Sequence, residues 1–291
     1  MAGATGLLGR PVAQRLLSDG FEVRVLARDP AKARRFFSQQ YEVVAGDVED
    51  PASLVQAMTG CEGLHISLAG YGPEMTYRIE HLGTANLVEA AVANGLRRIT
   101  YLSGATVCAQ NRWYPNINAK LKAEAAIEAS GIPFTIFRAT WFMESLPKFV
   151  QGNRALIPGA QAHPRHWVAA GDYARMLSRA YGTAAVANKR LYVFGPQAHT
   201  MFEAVSQYCR WLRPDIKTMH VPLWLGEVRA FAKQDSLLRA QIATMRYFNQ
   251  SPEQGNPAEA NALLGVPEIN LEQWCRTYGS QKREESVEYQ T

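Results

Sequence analysis

Hydrophobic and polar positions alternate along Phe21–Ala27 (FEVRVLA), and this period of two, with its β-branched residues, predicts a strand. Short apolar runs at Tyr41–Ala45, Leu64–Leu68, Arg98–Ser103 and Pro133–Arg138 predict four more. Between them the spacing turns helical. Leu7–Ser18 reads as a helix, with Pro11 tolerated in its first turn. Asp29-Pro30 and Asp50-Pro51 each open a short helix, Asp as N-cap and Pro at the first helical position. Met75–Asn94 is a long helix with Ile79, Leu82, Leu87 and Ala91 near helical spacing, and Asn118–Ser130 is a helix closed by Gly131. Strands alternating with helices at this pace mean βαβ units, hence an α/β fold with a doubly wound parallel sheet.

Beyond residue 140 the pattern loosens. Asn153–Pro164 reads as a Gly/Pro-rich loop, Gly171–Tyr181 as a helix and Arg190–Phe194 as a strand. Thr200-x-x-Glu203 is a capping box for a helix Met201–Leu212. Thr218–Val221 reads as a short strand, Leu223–Phe248 as largely helical, and Leu271–Tyr278 as a last helix capped by Asn270 before a polar, frayed tail. The organisation this suggests is a dinucleotide-binding domain over residues 1–150. A small, mainly helical substrate lobe follows over 151–291, with 165–200 returning to the first domain.

Ligands on such sheets bind outside the carboxyl ends of the strands. The first such position is the turn Gly3-x-x-Gly6-x-x-Gly9, running straight into a helix. Glycines at this spacing let the backbone turn tightly against a pyrophosphate, and the helix points its N–H groups at the phosphates. The turn residues Gly3, Thr5, Gly6, Leu8 and Gly9 are therefore cofactor-binding candidates. Arg28 follows the strand about 20 residues on, where an acid would bind the ribose of NAD and a basic residue accommodates the extra phosphate of NADP. NADP is the expected cofactor, NAD the less favoured one; a solvated strand-end charge is the plain alternative for Arg28. Asp47 can hydrogen-bond an adenine amino group while Val48 packs on the ring, or Asp47 can simply cap the turn toward Asp50. Leu68 and Ala69, just after the third strand, complete the cofactor candidates.

Composition adds exclusions. The net charge of +5 comes from 31 Lys+Arg against 26 Asp+Glu, and the basic residues are scattered, which argues against a nucleic-acid partner. Cys61, Cys108, Cys209 and Cys275 form no Cys-x-x-Cys pair and read as reduced thiols of a cytoplasmic protein. No apolar run approaches the roughly 18 residues needed to cross a membrane, and no secretory leader is visible. His163-x-x-His166 lacks Cys or acid partners at ligand spacing, so no metal is expected. There is no Gly-x-Ser-x-Gly elbow, so a hydrolase is not expected.

Taken together, GATGLLG at Gly3–Gly9, LARDP at Leu26–Pro30, Gly46-Asp47, GTANLVEAA at Gly83–Ala91 and YLSG at Tyr101–Gly104 resemble an atypical, extended short-chain dehydrogenase/reductase. KAEAAIEASGIPFTIFRATWFME at Lys122–Glu144 resembles the NmrA-like and isoflavone-reductase-like members in particular. The resemblance covers roughly residues 1–200. It implies an NAD(P)-binding domain of Rossmann type with a small substrate lobe. It also implies a catalytic Ser at Ser103 and a Lys at Lys120, which would hold the nicotinamide ribose as a cation. The superfamily's Tyr, four residues before that Lys, is Asn116 here, and Asn cannot exchange a proton near neutral pH. Tyr114 stands close by as a substitute, although Pro115 after it favours extended backbone. Trp141, Phe142 and His166 are the candidates to line a substrate pocket.

Two functions follow as expectations. The first is hydride transfer from NADPH to a small aromatic or quinone-like acceptor. The second is a non-catalytic NADP(H)-binding redox sensor or assembly factor, favoured by Asn116. A homodimer or a regulatory protein partner stays open. One feature is discordant: the glycine turn should follow a strand in the middle of the sheet, and only Met1 and Ala2 precede it. This predicts a gap between the strands at Phe21–Ala27 and Leu64–Leu68, and an upstream apolar segment of roughly 6–8 residues in a longer product.

Overall fold

The computed structural model describes residues 1–288, with side chains through Ser280. The chain divides into two compact units. The first comprises Met1–Ala139, Tyr173–Val193 and Gln254–Val266; the second comprises Thr140–Asp172, Phe194–Glu253 and the residues from Pro267 on.

The first unit is the α/β sheet expected. Its elements are α1 Gly9–Ser18, β1 Arg24–Ala27, α2 Pro30–Ala33, β2 Glu42–Ala45, α3 Pro51–Met58, β3 Gly63–Ile66 and α4 Gly72–Met75, followed by α5 Gly83–Ala93, β4 Arg98–Gly104, α6 Pro115–Ala129 and β5 Phe134–Ala139. Asp29 accepts from Lys32 N–H and Asp50 from Ser53 N–H, so both Asp-Pro helix starts form as the local chemistry dictates. All pairings are parallel. β1 lies on β2, while β3, β4, β5 and Lys189–Val193 form a four-stranded ladder. Leu54, Ile66, Leu87, Ile99, Ile127 and Ile136, from helices and strands alike, are completely buried in its core.

The two ladders are joined at one residue. Ala2 bridges in parallel to Leu26 on one side and Ile66 on the other. The Met1 ammonium donates to Arg24 O (2.6 Å) and Leu26 N–H to Met1 O (3.0 Å); Ala2 N–H donates to His65 O (2.9 Å) and Ser67 N–H to Ala2 O (3.1 Å). Below this bridge a small opening is lined by Leu26, Val44, Ala57, Met58, Cys61, Leu64, Leu87 and Leu96. The central gap expected from the sequence is therefore present, occupied at its top by two residues.

Several boundaries differ from expectation. The single helix expected over Met75–Asn94 is interrupted: α4 leads into a π-helical segment, Thr76–Leu82, before α5. The expected strand at Phe21–Ala27 pairs only from Arg24. In the second unit, Asn153–Pro164 is not all loop. Arg154–Pro158 is a strand with Ala155 and Ile157 buried, paired antiparallel to Val150–Gln151 and parallel to Lys217–Val221; its alternation is real, but it is flanked by Gly152 and Gly159. Leu223–Phe248 is two helices, Leu223–Ala232 and Ser236–Gln250, the second capped by Asp235. The last helix runs on from Leu271 to Glu288 instead of ending at Tyr278, and the end of the expected frayed tail lies outside the described residues. The core of this unit gathers Trp167, Tyr208, Trp274, Ile157 and Cys275.

Candidate active site

The glycine turn is built as the spacing predicted. Gly3 has φ +82°, and a Cβ there would sit 2.0 Å from Ser67 O. A Cβ on Gly9 would sit 2.2 Å from Gly3 O, so neither position accepts a side chain. Gly6 N–H donates to Gly3 O (3.1 Å), closing the turn. Thr5 and Gly6 are exposed, Leu8 is half-buried, and α1 begins with no side-chain cap on its N–H groups. Within that start Arg10 N–H donates to Gly6 O (3.2 Å), Val12 N–H donates to Leu8 O (3.4 Å) and Pro11 carries none, so a phosphate would be met by the backbone of the turn ahead of the helix. Arg28, directly after β1, is exposed.

Asp47 makes the local turn that was the plain alternative to adenine binding. Its backbone N–H donates to Ser53 Oγ (3.1 Å), and its carboxylate accepts from Glu49 N–H (3.1 Å). Val48 is buried, its carbonyl accepting from Asn86 Nδ2 (2.8 Å) while its side chain packs where a Cβ on Gly83 would be. The GTAN run thus has a mechanical meaning: Gly83 admits Val48 and Asn86 holds its backbone. Leu68 and Ala69 follow β3 at the next strand end, half-buried and exposed respectively.

Lys120 and Ser103 are separated in their chemistry. Ser103 Oγ donates to Glu124 Oε1 (2.6 Å), a buried carboxylate also held by Arg138 and Arg190. Lys120 Nζ instead lies 3.1 Å from Glu80 Oε2, 3.5 Å from Leu102 O and 5.6 Å from the Tyr101 ring centre. Burial works against its charge, but the Glu80 carboxylate outweighs it and holds Lys120 protonated well above the ordinary lysine range. The Tyr101 hydroxyl is pushed up to about 12, chiefly by burial, and is no acid near neutrality. Asn116, at the position of the superfamily's Tyr, donates through Nδ2 to Glu80 Oε1 (2.8 Å). Tyr114 is the residue ahead of α6, half-buried, its ring against Trp113.

Glu80 is the functional candidate that sequence reasoning missed. Inside a run read as one amphipathic helix, an acid four residues on from Thr76 looks like a solvent-facing charge; the π turn that buries it left no signal in the residue pattern.

The remaining candidates belong to the second unit. Trp141 packs edge-on to Trp167 and Phe248, with its indole N–H buried and unpartnered. Phe142 is buried and bridges to Val168. His166 Nδ1 is 2.9 Å from Glu253 Oε2, and its ring stacks on Phe194 (5.1 Å between centres). No group of three or more His, Cys, Asp or Glu among the described residues could hold a metal. No helix among them is long and apolar enough to cross a membrane. The four cysteines are free thiols.

A parallel α/β sheet with a glycine turn leading into a helix and a half-buried lysine cation at its carboxyl edge fits a dinucleotide-binding reductase-like fold. Residues 3–177 match the model of the NAD(P)H-binding family, and the chain belongs to that family. A reductase of a furanone methyl phosphate from Streptomyces griseus is 29% identical over 92% of the chain and 91% of that protein. Photosystem II assembly factor Ycf39 of Guillardia theta is 33% identical over 50% of the chain, and the match spans only 46% of that protein's length. The chloroplastic protein High Chlorophyll Fluorescence Phenotype 244 of Arabidopsis thaliana is 25% identical over 96% of the chain and 74% of that protein. Among solved structures, the triphenylmethane reductase of Citrobacter sp. with NADP(H) shares the fold at a TM-score of 0.75, with 22% identity over 94% of this chain and 96% of that one. The Escherichia coli NADPH-dependent quinone oxidoreductase QOR2 shares it at 0.69, with 20% identity over 95% and 98%.

Proposed function

We propose that the chain is an NADPH-dependent oxidoreductase of the NmrA-like type, acting on a small aromatic or quinone-like acceptor. The observation that carries this reading is the Lys120 ammonium. It is half-buried, held charged by Glu80, and sits beside the carboxyl end of β4 at Leu102. The first unit fits the dinucleotide on its own terms. Gly3 and Gly9 allow close backbone approach, the exposed turn at Thr5 and Gly6 leads into α1, and Arg28 stands exposed where a ribose phosphate would be met. Bound NADPH supplies the hydride. Lys120 serves as a fixed cation for ribose hydroxyls and for negative charge developing on the acceptor; held protonated, it is not a base. With Asn116 committed to Glu80 and Tyr101 kept neutral, the proton that completes reduction comes from water or from Tyr114. Trp141, Phe142 and His166 are proposed to face the acceptor.

The second reading, a dinucleotide-binding assembly factor or sensor without turnover, is favoured by one observation. The side chain at the usual acid/base position is an amide, and it is engaged structurally. The likeness to the Ycf39 proteins points the same way. NADPH and NADH titrations by nicotinamide fluorescence, followed by NADPH oxidation against a panel of quinones and triphenylmethane dyes, separate the two. We expect NADPH to bind at least about tenfold tighter than NADH, and Arg28→Glu to erase or reverse that preference. Oxidation of NADPH that Lys120→Met reduces about a hundredfold supports the enzyme. Tight binding with no turnover on any acceptor supports the assembly factor or sensor, and no binding sinks both.

A further inference from the structure

Glu80 stands where three parts of the first unit meet. Its Oε1 accepts from Gly70 N–H (3.0 Å), in the loop after β3, and from Asn116 Nδ2 (2.8 Å) on α6. Its Oε2 faces Lys120 Nζ at 3.1 Å. The residue is 2% exposed, so its charge is sustained by these donors and not by water. The same π-helical segment reaches the loop a second time: Thr76 Oγ1 donates to Gly70 O (3.3 Å), so both backbone polar groups of Gly70 are held from Thr76–Leu82. A side chain could not replace Gly70, since a Cβ there would lie 2.5 Å from Met75 O. A π turn takes one residue more than an α turn and re-aims the side chains beyond it by about a quarter turn. In this chain the segment that departs from α-geometry is the one that turns Glu80 inward.

We infer that Glu80 is a positioning residue: from the π segment it fastens the Lys120 ammonium to the loop after β3, and through Lys120 it sets how tightly the site holds the sugar-phosphate portion of a dinucleotide. The inference rests on the dinucleotide reading above. It also gives Asn116 a task, because the amide four residues before Lys120 lies on the same helical face and steadies the carboxylate that Lys120 needs. The groups facing Lys120 are few. They are Glu80 from the π segment, Tyr101 from β4 and Glu124 on its own helix. Tyr101 stays neutral, and Glu124 is taken up by Ser103, Arg138 and Arg190. Glu80 is thus the group whose charge decides the state of Lys120.

Two readouts test this. Lys120 acylation by an amine-reactive ester, followed by mass spectrometry of the dinucleotide-free wild-type protein, should show Lys120 unreactive at pH 8–9.5 while the exposed Lys122 labels. Glu80→Gln should make Lys120 reactive in that range, because burial then outweighs the remaining attraction. NADPH affinity should fall about tenfold in Glu80→Gln and weaken further as pH rises from 7 to 9.5, whereas the wild-type profile stays flat. In a Lys120→Met background, Glu80→Gln should add less than about twofold. Lys120 labelling as readily as Lys122 in the wild-type protein overturns the inference, whether or not the variant folds. So does an unchanged pH profile in Glu80→Gln, or a full tenfold loss in the Lys120→Met background. A wild-type protein that labels as expected but binds no NADPH overturns the dinucleotide reading, and with it the binding role of Glu80, while leaving the Glu80–Lys120 link standing.

Discussion

At the scale of single residues, position and charge are set by very local geometry. Gly3 combines a left-handed φ of +82° with a Cβ direction blocked by Ser67 O. Gly3→Ala is therefore expected to destabilise by more than about 2 kcal/mol and to abolish NADPH binding, read by urea melts and nicotinamide fluorescence. Two buried bases give the stability a pH dependence of definite sign. Burial lowers the Met1 amine from 8.0 to about 6, with Arg24 adding to the effect, and lowers His65 from 6.5 to about 3. In each case the unfolded chain takes a proton that the folded one refuses. Stability therefore rises with pH between 6 and 8 through the amine, by about 2 kcal/mol. Below 6.5 it falls further as the unfolded His65 protonates. Urea midpoints that do not climb between pH 6 and 8 would refute the first effect. The glycine turn was legible because its backbone demands depend on residue type and spacing. Glu80 was not, because its role depends on a burial that no local pattern announces. The partner of the Ser103 hydroxyl was not legible either, since Glu124, which accepts its hydrogen bond, lies 21 residues on.

At the scale of elements, the strong capping signals were legible. The Thr200-x-x-Glu203 box closes reciprocally: Thr200 Oγ1 accepts from Glu203 N–H (3.2 Å), and Glu203 Oε2 from Thr200 N–H (2.8 Å). Thr200→Ala is expected to cost about 1 kcal/mol, seen as a shift of the urea midpoint with unchanged slope. The five strands were legible to within a few residues because each is an apolar run bounded by turn residues. The π segment and the strand Arg154–Pro158 were not. A π turn keeps the composition and near-periodicity of a helix, and Arg154–Pro158 is five residues between two glycines, too short to outweigh its loop-like flanks. Tertiary packing decided both, by burying Ile79 and Glu80 in one case and Ala155 and Ile157 in the other.

At the scale of the whole molecule, the sheet of the first unit is held at its centre by a single bridged residue. Alternate residues of a parallel strand turn both polar groups to the same neighbour. Because Arg24 O and His65 O face the slot, Arg24 N–H and His65 N–H face it too, beside the apolar lining of Leu26, Met58, Leu64 and Leu87. An extended apolar segment of about five residues, joined through a peptide bond ahead of Met1, would meet donors and acceptors on both flanks. It would also replace the Met1 amine with a peptide N–H that makes the same bond to Arg24 O. Ordering such a segment costs about 1–2 kcal/mol per residue; a fully buried aliphatic side chain returns about 1.5–3 kcal/mol. A Val/Ile-rich extension should therefore stabilise and a Gly/Ser extension of equal length should not. The expected result is a Tm at least about 5 °C above that of the Gly/Ser version. The rise of stability between pH 6 and 8 should be lost in both, because neither retains an amine at that position. Equal melting temperatures for the two extensions would show that the slot does not accept a strand. A pH slope that persists in both would show that the Met1 amine is not its source.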